Sequence, residues 1–369
     1  MRIYNAQIYI NGKFVNGGID FDEKINEVGP SVTSGDIDLN NQYLIPGLID
    51  IHTHAAVNVD ASDGKSEDLP KLGKYYAKEG VTSFCPTTMT LKEKELTKAV
   101  RALSGYVRPK NGAKIAGINL EGPFLSRAKK GAQNEENLHL PDIDMFNRLN
   151  DASNHMIKLV TVAPEESGAI EFIKEASKVA TVSIGHTACD YEQAMKAYEA
   201  GASHATHLFN GMPSLLHRAP GVIAAALDNN ASVELITDGF HIHPSVIRLT
   251  SKLFNDKLCL ISDSLRCAGM PDGEYELGGQ PIEMINGKAC LKGTDTLAGS
   301  SIHLMEGLRR TVKFGVPLEK AVLASTLSPA KAIKMDKEIG SLEKGKYADF
   351  VVLDSSLNVK AVYINGERI

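Results

Sequence analysis

The chain has 369 residues, 43% of them hydrophobic, enough for one large core with a small companion domain. A formal net charge of −5 argues against a nucleic-acid binder, although a local site can still hold an anion. The five cysteines (Cys85, Cys189, Cys259, Cys267 and Cys290) are scattered and form no CxxC pair, which points to apolar packing in a reducing compartment and away from a disulfide framework.

The opening stretch, MRIYNAQIYINGKF, alternates apolar and polar residues and lacks a secretory pattern. No apolar run approaches the ~18 residues of a membrane span. A cytoplasmic protein without membrane or nucleic-acid partners is expected. Residues 1–47 read as short strands with turns at Asn11-Gly12 and Gly17-Gly18. The end of the chain, YADFVVLD and then VKAVYING, reads the same way. Residues 1–47 and 336–369 are therefore expected to join in one small β-sandwich domain.

Across residues 48–335 the pattern changes to alternating strands and helices. Eight apolar runs stand out: GLIDIHTH, VTSFCPTT, KIAGINLEGP, MIKLVTVAP, VATVSIGHT, ASHATHLFN, SVELITDGFH and KLCLISDS. Between them, Leu96, Val100, Leu103 and Val107 share a helical face. Asp190 with Gln193 forms a capping box, and Gly201 closes that helix. Pro244 opens a helix with Val246, Leu249 and Leu253 on one stripe. Eight such units predict an α/β fold, a (β/α)8 TIM-like barrel. A doubly wound open sheet is disfavoured because no Gly-rich phosphate loop follows the first strand. Residues 270–296, rich in Gly and turns, predict a β-hairpin insertion after strand eight.

Barrel enzymes build their sites at the C-terminal ends of the strands, and the polar residues gather there. His52 and His54 end strand one, Glu121 strand three, His186 strand five and His207 strand six; His241 follows strand seven, and Asp263 ends strand eight. Residues two apart in a strand face the same way, so both imidazoles of His52-Thr53-His54 can reach one metal. Two more histidines and a carboxylate supply further ligands, a set that suits zinc, iron or a similar divalent ion. An isolated HxH is a weak signal; the shared position at strand ends is what makes this one strong. His204, three residues before His207, is expected to face away and pack. His243 is a rival ligand beside His241, disfavoured because Pro244 starts a helix. His139, His155 and His303 are expected to be structural or solvated.

These residues resemble a known family. PGLIDIHTH is similar to the opening signature of the amidohydrolase superfamily, and GSLEKGKYADFVVLD to its return strand in the small β domain. LEGPF with KKGAQ, SIGHT, ASHATHLFNGMP, HRAPGVI, DGFHIHP, ISDSLRCAGMPDGEYELGG and DTLAGS resemble the N-acetylglucosamine-6-phosphate deacetylase family over nearly the whole chain. The resemblance implies hydrolysis of the acetamide of a phosphorylated amino sugar. It implies Glu121, His186 and His207 as ligands of a main metal, His52 and His54 as ligands of a second with Glu121 bridging, and Asp263 as catalytic acid/base. Asn210, Gly211 and Arg218 are implied as phosphate contacts, Arg218 reaching the neighbouring active site of a homodimer. His241, Gln133, Leu297 and Ala298 are implied beside the substrate. Ala55 and Ala56 depart from the family's usual Gly after HxH, and Asn119 stands where relatives often carry His. Gly211 stands where Ala is common, an exchange expected to matter little.

Other amidohydrolases use a carbamylated Lys at the end of strand four. Here that strand ends VTVAPEE without a Lys, and Glu121 takes the bridging place. N-acetylgalactosamine 6-phosphate is the alternative substrate. A metal-free scaffold is disfavoured because the whole ligand set is present.

Overall fold

The computed structural model describes residues 1–369. Strands Leu48–Thr53, Val81–Thr88, Ile118–Glu121, Ile157–Val162, Thr181–Ile184, His204–Ala205, Ser232–Ile236 and Leu258–Ile261 run parallel, each beside the next, as the expected (β/α)8 barrel. They read as near-continuous apolar runs because helices cover their outer faces. A cluster of 64 buried residues fills the space around the strands and helices.

The seam between strands eight and one is closed partly by a side chain. Asp50 Oδ1 accepts from Ser262 N at 3.3 Å and His52 N at 3.4 Å, and Asp263 N donates to His52 O at 2.9 Å. Burial pushes the Asp50 carboxyl up to about 7.

The two chain ends meet in one eight-stranded sheet. Strand Tyr43–Pro46 is its middle, parallel to Arg2–Ile10 and antiparallel to Phe350–Leu353. The sheet folds over on itself: Phe21 lies 5.0 Å from Phe350 and 5.6 Å from Tyr363 between ring centroids, although their strands are remote in sheet order. A separate core of 13 residues, including Ile3, Ile8, Ile19 and Leu44, fills the fold, which gives the two facing layers of the expected sandwich.

Several local expectations are corrected. Asn11-Gly12 is a turn with φ of 50° and 77°, but Gly17-Gly18 lies inside strand Lys13–Phe21. A Cβ on Gly17 would sit 2.4 Å from Gly29 O, so the glycines mark close backbone approach. The capping box at Asp190 forms, and Pro244 starts helix Pro244–Phe254. That helix buries Ile247, Thr250, Ser251 and Phe254, while Leu249 and Leu253 face outward at 48% and 42% exposure. Val107 lies past the end of helix Glu93–Ser104 and is exposed. The insertion after strand eight is a three-stranded antiparallel meander, Gly273–Leu277, Gln280–Ile285 and Lys288–Leu291, in place of a simple hairpin. Leu277, Ile282, Met284 and Ala289 pack it against Met89, Leu265 and Cys267, so that it flanks the barrel mouth. None of the five cysteines is paired, and no helix is long and apolar enough to cross a membrane.

Candidate metal centre and active site

Four imidazoles converge on one buried carboxylate. Glu121 Oε1 lies 2.9 Å from His207 Nε2, 3.2 Å from His186 Nε2 and 3.5 Å from His52 Nε2; its Oε2 lies 3.2 Å from His54 Nε2. Asp263 Oδ1 completes the cluster, 3.3 Å from His54 Nε2 and 3.6 Å from His52 Nε2. All six residues are buried.

Three of the four rings are aimed from behind, while His207 Nδ1 is buried without a partner. His54 Nδ1–H points to Thr87 O at 3.2 Å, and His186 Nδ1–H donates to Lys129 O at 2.8 Å. His52 Nδ1–H donates to Glu234 Oε2 at 2.8 Å. A proton held on Nδ1 leaves the Nε2 lone pair facing the cluster. His186, His207 and Asp263 have φ of 46°, 23° and 48°, left-handed conformations that turn the chain sharply at the strand ends.

The donor set fits a divalent ion. His52 Nε2 is buried without a hydrogen-bond partner, and the Nε2 atoms of His186 and His207 lie 3.1 Å apart, closer than two lone pairs tolerate without a cation or proton between them. Two overlapping donor groups, His52–Glu121–His207 and His52–His54–Asp263, offer one or two divalent-ion sites. Burial raises the Glu121 carboxyl, but His52 and His186 outweigh it and hold it well below the usual range. In the same way burial of Asp263 is outweighed by His54 and His52, so the group is ionised at neutral pH.

A cavity of about 190 Å³ opens above the cluster. His54, Glu121, Gln133, His186, His207, Asn210, Gly211, His241, Asp263, Leu297 and Ala298 line it, which brings together nearly all of the expected site residues. Gln133 Nε2 donates to Glu121 Oε2 at 2.8 Å while its Oε1 accepts from Thr90 N at 2.8 Å. His241 Nδ1–H donates to Asp238 Oδ2 at 2.7 Å, which leaves Nε2 as its free polar edge. Asn210 Nδ2 is turned to His207 O and Leu208 O, at 3.2 and 3.4 Å.

Two expected residues do not line the cavity. His52 lies fully buried beneath it, and Arg218 is exposed on the loop before helix Gly221–Asp228. His243 is exposed and caps helix Pro244–Phe254 by accepting from Ser245 N, which removes it as a rival ligand. Gly211 is not freely exchangeable: its φ is 59°, and a Cβ would stand 3.0 Å from His186 Nδ1. His204 faces away from the cavity, as expected, but its partner is polar: Nε2–H donates to Glu234 Oε1 at 3.1 Å. The sequence reading missed Glu234 and Asp50. Their available signal is an acidic residue inside an otherwise apolar barrel run, SVELI and GLIDI.

A barrel with histidines and carboxylates converging at the strand ends defines a metal-dependent hydrolase. Residues 43–369 match the amidohydrolase family. The chain is 37% identical to the N-acetylglucosamine-6-phosphate deacetylase of Bacillus subtilis (strain 168), over 88% of this chain and 84% of that one. It is 35% identical to the N-acetylgalactosamine-6-phosphate deacetylase of Escherichia coli O157:H7, over 93% and 91%. A mutant N-acetyl-D-glucosamine-6-phosphate deacetylase from Mycobacterium smegmatis, solved in complex with N-acetyl-D-glucosamine-6-phosphate, superposes with a TM-score of 0.94 at 30% identity, covering 100% of this chain and 98% of that one. The chain belongs to the amidohydrolase family and, within it, to the N-acetylglucosamine-6-phosphate deacetylases.

Proposed function

We propose that the chain hydrolyses the acetamide of N-acetyl-D-glucosamine 6-phosphate to D-glucosamine 6-phosphate and acetate. The observation that carries this reading is the convergence of His52, His54, His186 and His207 on Glu121, with Asp263 at the cavity, in a chain of this family. Glu121, His186 and His207 would hold a main ion, and His52 and His54 together with Glu121 would hold a second. A divalent ion held there lowers the pKa of water towards ~7 and polarises the amide carbonyl.

The chain's own groups do the rest. Asp263, ionised at neutral pH, takes a proton from the attacking water as the C–O bond forms. It returns that proton to the sugar nitrogen as the C–N bond breaks, since an amide anion is too unstable to leave. Gln133 and the free Nε2 edge of His241 orient the substrate at the cavity wall, with Leu297 and Ala298 along its side. Asn210 and Gly211 hold the phosphate. Arg218, exposed and without an ion-pair partner in its own chain, reaches the phosphate of a second subunit in a homodimer. Guanidinium suits phosphate through paired hydrogen bonds. The five unpaired cysteines support a cytoplasmic setting. Residues 1–47 and 336–369 form the small domain and 48–335 the catalytic one.

The E. coli relative supports a second reading, N-acetylgalactosamine 6-phosphate as substrate. Reaction in ¹⁸O-labelled water tests the chemistry for either sugar. Hydrolysis places one label in the acetate and none in the sugar; unlabelled acetate, or none, contradicts it.

A further inference from the structure

Beneath the metal cluster lies a polar unit that the proposed mechanism does not use. Glu234, on strand Ser232–Ile236, is 1% exposed and accepts three hydrogen bonds. His52 Nδ1–H reaches its Oε2 at 2.8 Å, the backbone N–H of His207 reaches the same oxygen at 3.0 Å, and His204 Nε2–H reaches Oε1 at 3.1 Å. The other nitrogen of His204 contacts Ser232 Oγ at 2.6 Å, and that hydroxyl lies 3.2 Å from Ser203 O. An acidic side chain this deep is retained only when its lone pairs are occupied, and here every partner but the last belongs to, or braces, the metal cluster.

We infer that Glu234, locked in place by His204, is a positioning residue that holds His52 and the His207 turn in metal-binding geometry. A carboxylate on Nδ1–H fixes the tautomer, so that the lone pair of His52 Nε2 faces Glu121 and Asp263. The bond to His207 N pins a residue whose φ of 23° has little intrinsic preference to stay there. One side chain on strand seven thus aligns ligands from strands one and six. The corresponding supports of His54 and His186 are main-chain carbonyls, Thr87 O and Lys129 O, which no substitution deletes. Among the Nδ1 partners of the ligand histidines, Glu234 is the one supplied by a replaceable side chain.

The inference rests on the reading that this cluster holds divalent metal. The test is competition for Zn²⁺ between the intact protein and a chromophoric chelator, with circular dichroism to confirm folding. Glu234→Gln keeps the volume and one acceptor but loses the charge and the double hold, and weakens zinc about 10- to 100-fold. His204→Gln, whose amide N–H replaces Nε2–H, keeps affinity near that of the wild type, whereas His204→Leu loses it together with Glu234→Gln. Unchanged zinc affinity in folded Glu234→Gln overturns the inference while leaving the metal reading intact. Equal loss in His204→Gln and His204→Leu reduces His204 to packing and also overturns it. A wild type that binds no zinc removes both readings.

Discussion

Replacing Asp263 by Asn separates its charge and proton chemistry from its shape. The backbone there has φ of 48°, a left-handed conformation that Asn adopts readily, so the exchange adds no strain that an Ala would bring. Its main-chain bonds, N–H to His52 O at 2.9 Å and C=O from Ser300 N at 2.8 Å, are untouched. What disappears is a carboxylate oxygen 3.3 Å from His54 Nε2 that can accept and return a proton. General acid–base catalysis contributes about 10²- to 10⁴-fold, and one group here serves both halves of the reaction. A fall of about 10³-fold in kcat is expected, or ~4 kcal/mol of transition-state stabilisation. The assay is amine release by metal-loaded variant and wild type at matched metal content, with thermal melts beside it. A folded Asp263→Asn protein whose kcat stays within about tenfold of the wild type refutes the proton-transfer role.

His186→Ala or His207→Ala loses metal on dialysis that the wild type retains, read by elemental analysis; full retention contradicts their ligand roles. Arg218→Ala raises KM for the 6-phosphorylated sugar far more than for the unphosphorylated one, and equal effects on both remove it from the phosphate site. Asp50 provides a pH test on metal-free protein. Its carboxyl, raised to about 7 from 3.8 by burial, has a folded pKa above the unfolded one, so its contribution to stability is full below the unfolded value and lost as pH rises through the folded one. Wild type therefore loses roughly 4 kcal/mol relative to Asp50→Asn across that window. Denaturant titrations at both ends measure the gap, and a gap that does not move with pH contradicts the burial argument.

The barrel was legible because each strand is an apolar run bounded by polar, chemistry-bearing ends. The same feature exposed His52, His54, Glu121, His186, His207 and Asp263, whose convergence then followed from the fold. Glu234 and Asp50 were hidden because they sit within the apolar runs, where composition reads as core and only three-dimensional partners reveal a polar role. The stripe of Val246, Leu249 and Leu253 has correct helical spacing, but Leu249 and Leu253 belong to the outer face and only Val246 packs partly against the core; periodicity finds a face without saying which one is covered. His204 does not line the cavity, but the strand there is only His204–Ala205, so alternation could not show that its ring reaches Glu234 beneath the cluster. The folding over of the terminal sheet rests on contacts such as Phe21 with Phe350, between residues too distant in sequence for local pattern to report.

The central claim is tested most directly by amine release from N-acetylglucosamine 6-phosphate, N-acetylgalactosamine 6-phosphate and unphosphorylated N-acetylglucosamine, side by side with metal-loaded protein. The account predicts the highest kcat/KM for the glucosamine phosphate and a large loss without the phosphate. Release from none of the three, with metal bound, would contradict it and place the substrate elsewhere in the amidohydrolase family.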